Sequence, residues 1–204
     1  MMFAIPLALF VIMLLAFDEI TLGNVPSLFK QAIFPTVLSC GLMFNFACGN
    51  WDLAIGAEAV LSAILAGNLA VNTGLGLPGI IIGCVVVGAC CGAITGTIFY
   101  ITKVPTIIVT VGLLFIYECI GSLVSGGSGI NISNTDYVVL GVYPWNIIYG
   151  AVGMIAAYFI LYRTKLGYRM RAVGNDANIA QANGINTTLI KAVCLMISGA
   201  FAGF

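Results

Sequence analysis

The sequence predicts an all-α, polytopic transmembrane helix bundle, and three observations carry that prediction. Hydrophobic residues make up 61% of the 204 positions and charged residues 7%, whereas a water-facing domain needs about 25% charged residues to solvate its surface. The apolar residues fall in runs of the length a membrane helix requires, about 20 residues, and the mean hydropathy is +1.14. The breaks between runs are rich in Pro, Gly and Asn, and the runs lack the alternation of a membrane β-barrel. Seven basic and seven acidic residues cancel. That balance excludes a polyanion-binding surface over the whole chain, so nucleic acid is not an expected partner.

Taken in order, the first run, 2–17, has neither the basic flank nor the small-residue cleavage site of a secretory signal and reads as an uncleaved span. Further spans are predicted at 27–46, 53–71, 79–101, 106–124, 146–162 and 189–204, about seven in all. The loop after the sixth carries Arg163, Lys165, Arg169 and Arg171 and therefore belongs in the cytoplasm. Lys103 and the N-terminus fall on the same side, and Asp18, Glu19 and Asp136 fall outside. Lys30 is the exception, at the outer edge of the second span, where its stem can snorkel. The last span ends at Phe204 without a polar flank. A chain cut short at its C-terminus, as a fragment or a truncated gene, is the expectation.

Packing signals are clear. Gly88, Gly92 and Gly96 form a small-residue stripe on the fourth span, and Ala59, Ala63 and Gly67 form a second on the third. Without a hydrophobic drive between helices in lipid, such stripes hold a bundle together by close backbone approach. The seven cysteines lie in or beside apolar runs, none in a C-x-x-C pair, and histidine is absent. They read as small packing residues, with no metal set.

Polar groups inside spans are expensive and point to function or a wet cavity. Asn45, Asn50, Trp51, Asp52 and Glu58 cluster around the break between the second and third spans, with Gly49 and Gly56 beside them. An interrupted or re-entrant helix is expected there, tolerated only where protein or water covers the backbone. Asp52 either caps the third span or lines a pathway. Glu58 lies deeper, and Glu118, beside Tyr117 in the fifth span, lines a pathway or satisfies a neighbouring helix.

The basic loop holds one further element. Asn175 or Asp176 suits an N-cap and Gly184 a stop, which predicts a short helix between them. Ala177, Ala180, Gln181 and Gly184 share one face by helical spacing. Such a helix does nothing for membrane insertion; it suits a groove on a soluble partner, with flanking arginines to pair with acids or phosphates.

Three stretches resemble the permease subunits of ribose-type sugar ABC transporters. They are DLAIG at 52–56; KVPTIIVTVG at 103–112 running on to SGGSG at 125–129; and TKLGYR at 164–169 with AVGN at 172–175 and Ala180…Gly184-Ile185. The family's corresponding patterns are D-L-S-V-G, V-P-x-F-I-V-T-L-G…T-G-G-S and T-x-x-G-R…A-x-G-x-N…A-A…S-G-I. Asn50-Trp51 departs from the usual glycine and isoleucine, and Asn183 from the usual serine. The resemblance implies one permease domain over 1–204 with a cytoplasmic coupling loop at 163–188, in a bacterial inner membrane, and family members longer than this chain. It implies a second permease subunit, identical or different, two cytosolic ATPases and an external substrate-binding protein facing 125–143. ATPase coupling would fall to Gly167, Arg169, Arg171, Gly174, Asn175, Ala177, Ala180, Gln181 and Gly184. The substrate pathway would hold Asn45, Asn50, Trp51, Asp52, Glu58 and Glu118. No Walker-type motif is present, so hydrolysis belongs to the partners and the chain needs no cofactor. Two alternatives remain: a permease for branched-chain amino acids, or an intramembrane enzyme or ion conductor using Asp52, Glu58 and Glu118, although no nucleophile–base pair favours the latter.

Overall fold

A computed structural model describes residues 25–74, 76–127 and 145–204. The predicted span 2–17, Asp18, Glu19, Asp136 and the outer loop beyond Gly127 lie outside these residues. The described residues form eight helices and no strand.

Helix α1 (Val25–Ala47) carries Pro26 in its first turn and Pro35 in its interior. The first position needs no amide donor. Around the second, the hydroxyls of Thr36 and Ser39 donate to the Ala32 and Pro35 carbonyls at 2.6 and 2.7 Å, the kind of local bonding that makes proline tolerable in lipid. Helix α2 (Ile55–Thr73) stops at Gly74, which takes a φ of +67°. Helices α3 (Gly76–Thr102), α4 (Thr106–Ser125) and α5 (Trp145–Arg163) follow, then α6 (Lys165–Asn175), α7 (Ala177–Ala182) and α8 (Thr187–Ala202). Each predicted span from 27 onward coincides with a helix. By length and composition α2, α3, α4 and α5 can each cross a membrane, and α8 is a shorter apolar helix. Outward residues such as Leu123 and Ile155 are 82% and 68% exposed, as expected where lipid is the solvent.

The packing centres on α8, which lies between α1 and α3 and also meets α2. Helix α4 rests mainly on α2, and α5 on α1. The closest contact is α3 on α8, and the glycine stripe makes it. A Cβ added at Gly88, Gly92 or Gly96 would stand 2.5, 2.8 or 2.6 Å from the carbonyl oxygens of Gly199, Leu195 and Ala192. Gly199 is equally confined, 2.5 Å from the Gly92 Cα on the same measure. Backbone touches backbone here, as small-residue stripes allow.

Two apolar clusters flank that contact. One joins α1, α5, α6, α7 and α8 around Phe44, Leu161, Met170 and Cys194. The other joins α2, α3, α4 and α8 around Leu61, Phe99, Leu113 and Leu195. One cysteine contact could not be foreseen from spacing: the Cys48 and Cys194 sulfurs come within bonding contact in the first cluster. The sequence reading of both as packing residues missed this pairing, because only the fold brings positions 146 apart together.

Helix α6 is a second departure, since 163–175 read as a basic loop. Its charges at Lys165, Arg169 and Arg171 are solvent-facing, while Gly167, Met170 and Val173 are buried on the bundle. Thr164 caps it, accepting from the Gly167 amide at 3.1 Å. The charges hid the apolar stripe.

Candidate functional site

The polar break lies at the end of the bundle that carries α6 and α7. Helix α1 ends in a tight turn: the Asn45 carbonyl accepts from the amides of Cys48 and Asn50 at 3.0 and 2.9 Å, and Gly49 takes a φ of +71°. That turn folds Asp52 back onto α1. Its Oδ2 accepts from Asn45 Nδ2 at 2.9 Å and from the Ser198 hydroxyl at 3.2 Å, and its Oδ1 accepts from the Ala54 amide at 3.0 Å. One carboxylate thus ties α1, α8 and the entry to α2. The N-cap itself is Ala54, with no side-chain cap bond, so Asp52 shapes the turn before the helix instead of capping it.

The neighbours extend the tie. Asn50 Nδ2 donates to the Lys191 carbonyl at 3.0 Å. The Trp51 backbone is held on both sides by α4, its amide to the Thr106 hydroxyl at 3.3 Å and its carbonyl from the Thr110 hydroxyl at 3.4 Å. Its indole is 62% exposed and meets Phe46 edge-on at 5.6 Å.

Glu58, fully buried, makes a second polar node. The Thr95 hydroxyl donates to its Oε1 at 2.7 Å and lies 3.0 Å from the Tyr117 hydroxyl, which donates to the Cys91 carbonyl at 3.0 Å. Helices α2, α3 and α4 meet there. Asn45 Oδ1, Asn50 Oδ1 and Glu58 Oε2 are buried without a protein partner. Asn45, Asn50, Asp52 and Glu58 therefore sit inside the bundle. Glu118 joins neither node; it is exposed on α4, facing a cavity of about 350 Å³ with Gly56, Tyr117, Ser122 and Ser125. The sequence reading missed Thr95, Thr110 and Ser198, since single hydroxyls on apolar helices carry no distinguishing signal.

At the loop, Asp176 caps α7, its Oδ1 accepting from the Asn178 and Ile179 amides at 2.8 and 3.1 Å. Gly184 ends the turn at a φ of +79°. Ala180 faces the core, whereas Gln181 and Gly184 are exposed and Ile179 is 61% exposed. Helix α6 joins α7 to the break: the Cys48 sulfur lies 3.7 Å from the Met170 carbonyl oxygen, and a Cβ at Gly174 would overlap the Ala47 carbonyl. Gly167 is similarly pressed on the Leu161 carbonyl. Arg171 donates to the Gly167 carbonyl at 3.3 Å and lies over the Tyr162 ring at 5.1 Å. Asn175 ends α6, and Arg169 and Ala177 lie at the surface or partly so.

No solved structure matches the chain. Among curated proteins, the D-allose transport system permease protein of Escherichia coli (strain K12) is 27% identical over 90% of this chain and 58% of its own length. The fructose import permease protein of Rhizobium meliloti is 28% identical over 96% of this chain and 60% of its own. The autoinducer 2 import system permease protein of Photorhabdus luminescens is 26% identical over 89% and 56%. The chain thus spans less than two thirds of the length of these relatives. A family model described as "Branched-chain amino acid transport system / permease component" matches residues 25–204. With all of its described helices inside that match, the chain belongs to this family of membrane transport permeases.

Proposed function

We propose that the chain acts as a permease subunit of an ATP-driven importer in a bacterial inner membrane, moving a sugar by alternating access. The relatives named for D-allose and fructose support a sugar as solute. The observation that carries the coupling role is α7 itself: a capped helix seated on the end of the bundle by Ala180, exposed on its other side and linked through α6 to the Asp52 break. A push on α7 by a closing cytosolic ATPase would reach α1 through Gly174 and Ala47, which are in backbone contact. Of the expected coupling face, Gln181 and Gly184 are exposed, as is Ile179, and on this reading they would meet the partner. Ala180 holds α7 to the core.

The pathway residues divide. Glu118, with Ser122 and Ser125 at helical spacing, gives α4 a polar face in an otherwise apolar surface. A carboxylate there requires water or a partner protein, which a solute pathway between this subunit and a second permease supplies. The buried Asn45–Asp52–Ser198 node fits a hinge, because it ties α1, α8 and the entry to α2, and Asn45 Oδ1, without a protein partner, is open to a new donor as the helices shift. An external substrate-binding protein would deliver the sugar from the opposite end.

The test is Ile179→Glu. The variant should elute as wild type, yet lose both ATPase association and sugar uptake in proteoliposomes. Unchanged uptake would remove the coupling assignment. The family's own description favours a second reading, branched-chain amino acids as solute; uptake of leucine in place of sugars in the same vesicles would establish it.

A further inference from the structure

At the α7 end of the bundle, a cavity of about 640 Å³ opens between the break, the turn joining α3 to α4, and the first turns of α7 and α8. Lys103 and Lys191 line it, with Trp51, Thr106, Thr187 and Thr188, and none of its lining residues is acidic. Two acids adjoin lining residues along the chain: Asp52, after Trp51, is buried with its oxygens on Asn45, Ser198 and the Ala54 amide, and Asp176, before Ala177, is engaged with the α7 amides. The cavity is therefore cationic.

Lys103 takes a φ of +55°, the one non-glycine residue at positive φ among the described residues. Glycine would occupy that conformation without strain. The Lys103 amide closes the end of α3 on the Phe99 carbonyl at 2.9 Å, a left-handed closing position that glycine usually fills. Trp51 adds a large exposed ring on a backbone pinned by Thr106 and Thr110. Preorganised aromatic groups of this kind anchor protein interfaces. The cavity is also continuous with α7, whose first residue forms part of its wall.

We propose that this cavity is a second docking point for the cytosolic ATPase subunit, receiving a carboxylate of that partner between Lys103 and Lys191 while α7 engages it alongside. The proposal rests on the reading of α7 as the ATPase-docking helix. Two lysines without a counter-acid select an anion. An acidic side chain carried on the protein that already meets α7 arrives at high effective concentration. Being rim charges, the lysines act through a salt-sensitive attraction.

The test measures binding of the purified cognate ATP-binding subunit to the permease in nanodiscs, over a potassium chloride series. The double variant Lys103→Gln/Lys191→Gln should bind about tenfold more weakly at low salt, and the difference should shrink towards high salt as screening removes the attraction. Equal binding at low salt overturns the proposal. So does an altered sugar affinity with ATPase binding intact, which would make the cavity a solute subsite. Lys103→Gly serves as the structural control. It should melt no lower than wild type while losing ATPase affinity; a lower melting temperature with unchanged affinity would mean that Lys103 serves the fold. Ile179→Glu separates the two readings. If it leaves the ATPase bound, the α7 assignment falls; if it abolishes binding while the lysine variants change nothing, the second docking point alone falls.

Discussion

Asp52 shows what one buried carboxylate does in this bundle. It accepts from three donors belonging to α1, α8 and the turn into α2. Removing it leaves those donors buried and unpaired, each costing about 1–3 kcal/mol. Asp52→Ala should therefore lose about 3 kcal/mol or more of stability, seen as a lower melting temperature in detergent, since such losses combine less than additively. Glu58→Gln is the contrasting case. Glutamine keeps an oxygen for the Thr95 hydroxyl, so that variant should stay within about 1 kcal/mol of wild type in the same melt. Asn45, Asn50 and Asp52 stood out in the sequence because polar groups are rare in spans. Ser198, the partner of Asp52, did not, because a serine in an apolar helix usually bonds its own backbone.

Elements divide by what their contacts are made of. The α3–α8 pair meets through backbone, so it has no side chain that can yield. Gly92→Leu should abolish a monodisperse peak in size-exclusion chromatography, its cost reaching at least about 3 kcal/mol. Gly112, on α4, has nothing within 4 Å of an added Cβ, and Gly112→Ala should elute and melt as wild type, within about 0.5 kcal/mol. Most helices were legible from hydrophobic length alone. The glycine stripe of α3 was legible too, but its partner was not: Gly199 and Gly203 matter through the register of two helices far apart in sequence. Helix α6 escaped because its buried residues, Gly167, Met170 and Val173, stood among charges.

For the whole molecule, the distinction that matters is which exposed surface faces water. Glu118 and Ile155 are both exposed, yet only the first is proposed to face a pathway. In a background with Cys90 and Cys119 replaced by serine, Glu118→Cys should react with a membrane-impermeant thiol reagent and Ile155→Cys should not. Equal protection of both would place Glu118 against lipid or buried protein and remove the pathway face. Sequence located Glu118 but not its surroundings. Its separation from Asp52 and Glu58 follows from α4 packing on α2 with one face only, a tertiary fact.

The backbone contact between α3 and α8 also constrains how the protein is made. Helix α3 ends at Thr102 and α8 begins at Thr187, so the glycine face enters the bilayer long before its partner exists. At about 5–20 residues per second, α3 waits on the order of 5–15 s with backbone exposed to lipid tails or to helices that do not fit it. Through that interval the nascent chain depends on lipid, insertion machinery or neighbouring proteins to shield a surface that the finished protein never shows.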